Sequence, residues 1–173
     1  VVGHEAGVGH VAGARHEAIH DFGNFDPRLF TLRYDAPGAP HLAPRVAELL
    51  GAAGLAPDTA DASGLDHGLW TALRHLWPTA EMPVLPLGWP PSMPPAQLFA
   101  LGEALAPLAA EGVLVLGSGS ITHNLRRVFA QGMHDRGPPE IAESAAFRAW
   151  MLECARARDW DALFDYRRRA PHA

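Results

Sequence analysis

The sequence predicts an α/β fold, a single domain in which a mixed central sheet is flanked by helices. Several segments place apolar residues at helical spacing, and short apolar runs that are too brief and too β-branched for helices lie between them. The length agrees, because 173 residues that are 48% hydrophobic can bury the core of one domain. A second full domain is not expected.

The elements follow in chain order. Residues 40–53 are predicted as a helix, because Val46 and three leucines recur at helical spacing and glycines stand near its end. Met82–Leu87 and Val113–Leu116 are predicted as buried strands. With the helix predicted over 97–110 between them, they would form a βαβ unit with a right-handed crossover. The remaining predictions are a proline-rich loop at 88–95 and helices at 124–130, 141–158 and 160–169.

Composition excludes several classes of function. A net charge of −5 and a pI near 6 give no basic footprint for nucleic acid, so we expect a small-molecule partner. The chain has no lysine, which excludes a P-loop lysine and a Schiff-base lysine. A single cysteine, Cys154, excludes a disulfide framework. Without a signal peptide or a membrane-spanning apolar run, we expect a cytoplasmic protein that binds no membrane, and a homo-oligomer stays open.

One motif matches a zinc-protease template. His16, Glu17 and His20 have the H-E-x-x-H spacing, and Asp26 follows at the distance of a third ligand. The template requires a helix that turns both histidines to one side, yet glycines at 13 and 23 stand close on either side. We therefore expect that His16 and His20 share no metal, and that the segment is a polar loop.

Two other histidines lie in turns. His123 follows the glycine-rich segment Gly117–Ser120, which comes directly after the predicted strand at 113–116, where ligands bind in open α/β sheets. That segment also suits an anion site, although a tight turn explains it equally well. His67 lies between glycines, and a lone histidine there is more often structural. Together the two imidazoles could transfer protons near neutral pH.

Four segments resemble, in order and approximate spacing, the class III extradiol ring-cleaving dioxygenases, in particular their DOPA 4,5-dioxygenase-like branch. The segments are His20–Phe25, Leu32–Gly38, Gly64–Trp70 and Gly117–Arg126. The resemblance implies a non-haem Fe(II) enzyme that opens a catechol ring with O₂. It makes His123 the catalytic histidine, and in some relatives this position also contacts the metal. His67 becomes a second catalytic histidine of the pocket, and His4 a metal ligand.

The resemblance also has gaps. It implies one dioxygenase-like domain over residues 1–173 that lacks the N-terminal loop with the first metal histidine and the C-terminal segment with the last ligand. It predicts that His4, His67 and His123 meet at one pocket, within about 12 Å of each other. Zinc would also enter such a site, because imidazole groups accept it readily. Two alternatives stay open: a zinc metalloprotease built on His16–His20, and a non-catalytic binding relative of the dioxygenase fold.

Overall fold

The computed structural model describes residues 9–11, 14–23, 25–55, 57–60, 64–130 and 139–173. The chain divides into two compact units. The first unit takes the residues up to Met93 and those from Gln97 to Ser118, and the second takes 94–96 and those from Gly119 onward. His4 lies outside the described residues.

In its described residues, the first unit combines short strands with three α-helices. In chain order these elements are β1 (Gly9–Val11), β2 (Arg15–His16), β3 (Ala36–Pro37), α1 (Ala43–Ala52), β4 (Asp58–Ala60), α2 (His67–Leu76), β5 (Leu87–Gly88) and α3 (Pro95–Leu105). Strand β1 lies between β4, which is parallel to it, and β5, which is antiparallel. Strands β2 and β3 form a separate antiparallel pair. The predicted mixed α/β character is confirmed.

Two apolar clusters hold the first unit together. One joins α1 to α3 and to the 3₁₀ helix Ala106–Glu111. Its buried members are Val46, Leu50, Leu101, Leu105 and Leu108. These residues lie on the faces that helical spacing predicted, so both helices are confirmed. The second cluster lies beneath α2, and its buried members are Tyr34, Ala36, Leu65, Trp70 and Leu73.

The predicted βαβ unit is wrong. Residues 113–116 form no strand, and the side chains of Leu114 and Val115 are 67% and 51% exposed. A strand needs a hydrogen-bonded neighbour, and within the described part of the chain β1 pairs with β4 and β5 while nothing pairs with 113–116.

The strand predicted at Met82–Leu87 forms only in part. Val84 makes an isolated bridge to Gly38, and β5 begins at Leu87. Pro83 and Pro86 lack the N–H groups that a continuous ladder requires, which explains the interruption.

The second unit is helical in its described residues. It contains α4 (Leu125–Ala130), α5 (Ala142–Ala157), α6 (Trp160–Phe164) and α7 (Tyr166–Arg169). Phe147 and Ala162 are buried, and the rings of Phe147 and Tyr166 meet edge to face at 6.1 Å. The helix predicted over 160–169 is broken at Asp165, whereas those at 124–130 and 141–158 are confirmed. In neither unit does a described helix have the length and apolarity needed to cross a bilayer.

Candidate active site

A backbone pairing brings two distant segments of the first unit together. Leu65 pairs with Ala18 in a parallel bridge. The Leu65 N–H donates to the Glu17 carbonyl and the Ile19 N–H donates to the Leu65 carbonyl, each at 2.8 Å. Because the pairing is parallel, the residues that follow on both segments remain neighbours. The start of α2 therefore lies beside residues 20–22.

The indole of Trp70 also holds this junction together. Its side chain is 1% exposed, and its Nε1–H donates to the Ile19 carbonyl at 2.9 Å. A buried indole usually finds an acceptor for its N–H, and here that acceptor belongs to the paired segment. Helix α2 is thus fastened to the segment before Asp21 by both packing and hydrogen bonding.

Gly64 allows the chain to enter this junction. Its φ is +145°, a backbone conformation that L side chains rarely adopt. A Cβ at this position would also lie 2.8 Å from Ile19 Cγ1 and closer still to Ile19 Cδ1. The backbone conformation therefore favours glycine, and a Cβ would also displace the side chain of Ile19.

The junction places the carboxylate of Asp21 against His67. Asp21 Oδ1 lies 2.8 Å from His67 Nδ1 and accepts the backbone N–H of His67 at 3.0 Å. Partial burial acts to raise the pKa of Asp21, but the hydrogen bonds from the ring and backbone of His67 outweigh it and lower that pKa. The carboxylate is therefore ionised near neutral pH and can only accept, so Nδ1 carries the proton and donates it.

This arrangement leaves Nε2 of His67 as the nitrogen with the lone pair. The side chains of His67 and Asp21 are 46% and 40% exposed, so a ligand can approach them. Phe22 meets the imidazole edge to face at 5.6 Å, and Phe30, itself 45% exposed, lies 5.1 Å from the Phe22 ring. An imidazole with an apolar aromatic margin is suited to a planar aromatic ligand that carries hydroxyl groups.

Two further contacts fix the first turn of α2. Asp66 is the N-cap, and its Oδ1 accepts the Leu69 N–H at 3.1 Å. The Ser118 hydroxyl donates to the Gly68 carbonyl at 2.6 Å. Ser118 thus brings the start of the glycine-rich segment beside the histidine turn.

The zinc-protease template fails in the structure. His16 belongs to β2 instead of a helix and is fully buried. Its Nδ1 accepts the Gly64 N–H at 3.4 Å, so its Nε2 carries a proton and donates to the Val84 carbonyl at 3.1 Å. Burial lowers the pKa of His16, and the bond to Val84 opposes this only in part. With both ring nitrogens engaged, His16 offers no lone pair to a metal.

His20 is also committed elsewhere. Its Nε2 lies 2.9 Å from the Leu32 carbonyl and must donate to it, and its ring lies 5.7 Å from that of Trp70. Glycines do not fully account for the lost helix: the deciding reason is that residues 15–19 pair with two other segments, at Ala36–Pro37 and Leu65.

His123 belongs to the second unit. It is exposed and precedes α4, whose first turn is capped by Asn124, since Asn124 Oδ1 accepts the Arg127 N–H at 3.2 Å. The strand predicted before it, at 113–116, does not form in the described residues. The convergence of His67 and His123 with His4 stays a prediction.

The sequence reasoning missed the roles of Asp21, Phe22 and Ser118. All three lie inside segments quoted for the family resemblance, but no spacing rule connects an aspartate to a histidine that lies 46 residues away. The signal available was their membership of those segments.

Comparison with known proteins decides the family. Residues 6–172 match the family model described as the catalytic LigB subunit of aromatic ring-opening dioxygenase. The chain belongs to this family. It is 35% identical over 162 residues to a 4,5-DOPA dioxygenase extradiol of Beta vulgaris, in an alignment that covers 90% of this chain and 57% of the relative. It is 41% identical over 122 residues to the Escherichia coli K12 protein of the same name, covering 70% and 45%.

A solved structure agrees with these relatives. The crystal structure of an uncharacterized protein from Escherichia coli K12 superimposes with a TM-score of 0.64 at 30% identity, covering 92% of this chain and 59% of that protein. The chain therefore spans about half the length of the relatives that it matches.

The described residues do not complete a metal site. Within the described part of the chain, no group of three or more histidine, cysteine or acidic side chains could hold a metal ion. The Asp21–His67 pair is a carboxylate–imidazole pair that no third metal-ligating side chain joins among the residues that the structure describes.

Proposed function

We propose that the protein is a metal-dependent extradiol dioxygenase that opens the aromatic ring of a catechol with O₂. One observation carries the proposal: three of the segments typical of the family meet at one place in the first unit. Asp21 contacts His67 at 2.8 Å, and the Ser118 hydroxyl donates to the carbonyl of the next residue, Gly68, at 2.6 Å. Family membership over residues 6–172 supports the same activity.

In this proposal, His67 receives the substrate. With Nδ1 holding its proton against Asp21, Nε2 can accept a hydrogen bond from a catechol hydroxyl, while Phe22 and Phe30 offer an apolar margin to the ring. His123 is proposed as the general base and acid, because its imidazole is exposed and precedes a capped helix.

We propose Fe(II) as the metal, with His4 and His123 as the ligands that this chain would supply. The described residues assemble no triad of ligands for this metal. DOPA is the substrate named for two of the relatives, and we propose a DOPA-like catechol for this protein. A cytoplasmic location is also part of the proposal.

The test is oxygen uptake by the protein expressed from its complete reading frame and loaded anaerobically with Fe(II). We expect uptake that depends on the catechol and a yellow ring-opened product. Binding of a catechol without uptake would support the non-catalytic relative instead, and absence of both would reject the proposal.

A further inference from the structure

The pair formed by Asp21 and His67 has a consequence beyond the proposed activity. An imidazole with nothing to constrain it can carry its proton on either nitrogen, and its hydrogen-bond partner selects the tautomer. Here the partner of Nδ1 is an ionised carboxylate 2.8 Å away, which cannot donate. The contact therefore selects one tautomer of an exposed histidine.

From this geometry we infer that Asp21 is a positioning residue that holds His67 as the Nδ1–H tautomer, with the Nε2 lone pair presented to the substrate hydroxyl. The inference deepens the proposed function and rests on it for the identity of the ligand, but the tautomer itself can be measured without any substrate.

A second hydrogen bond and the surrounding contacts hold the Asp21 carboxylate in place beside the His67 ring. Asp21 Oδ1 is held by a second donor, the backbone N–H of His67 at 3.0 Å, so one oxygen binds the ring and the backbone of the same residue. The bridge between Ala18 and Leu65 sets the approach of the two segments, and the Trp70 indole fixes it. The carboxylate thus has a defined position relative to the ring.

A competing interpretation is purely structural. Asp21 accepts an N–H in the first turn of α2, where a carboxylate stabilises a helix through its unpaired amides and dipole. Loss of such a contact would lower the thermal stability. It would not by itself set the tautomer of His67, which makes the tautomer the deciding measurement.

The experiment is long-range ¹H–¹⁵N correlation of the imidazoles at about pH 8, above the ordinary range of histidine titration. The His67 signals are assigned by their loss in His67→Gln. We expect Nδ1 protonated and Nε2 unprotonated in the wild-type protein, and a shift toward the Nε2–H form in Asp21→Ala. Asp21→Asn keeps an oxygen acceptor without the charge, and we expect it to show a mixture of the two tautomers.

The chain offers a matched control in Asp26. Its carboxylate is 41% exposed, close to the 40% of Asp21, and hydrogen bonds from Arg28 lower its pKa to about 2. Asp26 contacts Arg28 instead of an imidazole. Asp26→Asn should leave the His67 signals and the catechol turnover unchanged.

Turnover supplies the second readout. We expect kcat/KM for a catechol to fall about tenfold in Asp21→Ala, the low end for loss of a carboxylate that orients a histidine, because the pair is partly solvated. The Asn variant should retain more activity than the Ala variant at equal thermal stability.

The outcomes separate the two claims. A wild-type protein with Nε2–H, or a tautomer that is unchanged in Asp21→Ala, would overturn the positioning role whatever the activity. Absence of catechol turnover in the wild-type protein would reject the proposed function, while the tautomer measurement would still decide the role of Asp21.

Discussion

His67 and His123 differ in how firmly their surroundings hold the imidazole ring. His67 begins a ten-residue helix, its ring and backbone both contact Asp21, and a buried indole lies beneath the junction. His123 precedes the six-residue α4, and neighbours from Ile121 to Arg127 are exposed along with it.

This difference decides what can be inferred about each histidine. For His67 the hydrogen bonds to Asp21 determine which ring nitrogen carries the proton. The role proposed for His123 follows from its segment and from the chemistry of an exposed imidazole. A histidine held by hydrogen bonds and packing is suited to orienting a ligand, while a solvent-exposed histidine is suited to exchanging protons.

The largest effect is expected at His123. In the iron-loaded protein, His123→Ala should lower catechol turnover by roughly 10²–10⁴, because it removes the proton-transfer group. The exposed His75 on α2 provides the control, and His75→Ala should change the rate little. Metal content must be measured beside the rate, since loss of iron would identify His123 as a ligand as well. Full turnover at normal iron content would refute the assignment.

Replacement of His67 should have a smaller effect. His67→Gln is expected to lower turnover by roughly 10–100-fold while iron stays bound, as for a group that orients substrate without holding the metal. Steady-state kinetics and metal analysis of the same preparation check this. If iron is lost instead, the contrast drawn between the two histidines is wrong.

The rigidity of the His67 region can be tested at Gly64. Gly64→Ala should lower the free energy of unfolding by about 1–3 kcal/mol, because φ of +145° and the nearby Ile19 side chain both oppose a Cβ. Gly102→Ala is the matched control: Gly102 lies inside α3 with open space around a Cβ, so this change should stabilise by about 0.5–1 kcal/mol. Denaturant unfolding measures both, and a harmless Gly64→Ala would contradict the packing described.

The smallest effect concerns pH and His16. Burial lowers its pKa in the folded protein, so the unfolded chain binds the proton more readily and stability falls as the pH drops below the ordinary value of about 6.5. One such group lowers the free energy of unfolding by at most about 1.4 kcal/mol for each pH unit. The loss is absent above the ordinary pKa and grows as the pH falls below it. Urea titrations of wild type and His16→Gln between neutral and mildly acidic pH check this. An equal slope in both proteins would count against it.

Much of the helical structure was predictable, because the apolar face of a helix is formed by residues that are close together in the sequence. The apolar residues of α1 and of the segment from α3 to the following 3₁₀ helix lie at helical spacing and pack together. They are Val46, Leu50, Leu101, Leu105 and Leu108. The strands were harder, since a strand depends on a partner that is distant in sequence. The run at 113–116 has strand composition yet finds no partner among the described residues, and prolines shorten the run at 82–87.

The site shows the same division. His67 was identified from its segment, but its pairing with Asp21 depends on the Ala18–Leu65 bridge, a contact between distant parts of the chain. The zinc template failed for a related reason. The motif matched locally, but strand pairing buries His16, and its two ring nitrogens form hydrogen bonds with Gly64 and Val84.

The most direct test of the central claim, that this protein opens catechol rings with dioxygen, is a single turnover under ¹⁸O₂. The protein from the complete reading frame, loaded with Fe(II), is given L-DOPA and the product is analysed by mass spectrometry. We predict a ring-opened product that carries both labelled oxygen atoms. A quinone with the ring intact, or a product in which the oxygen comes from water before any exchange, would contradict the account.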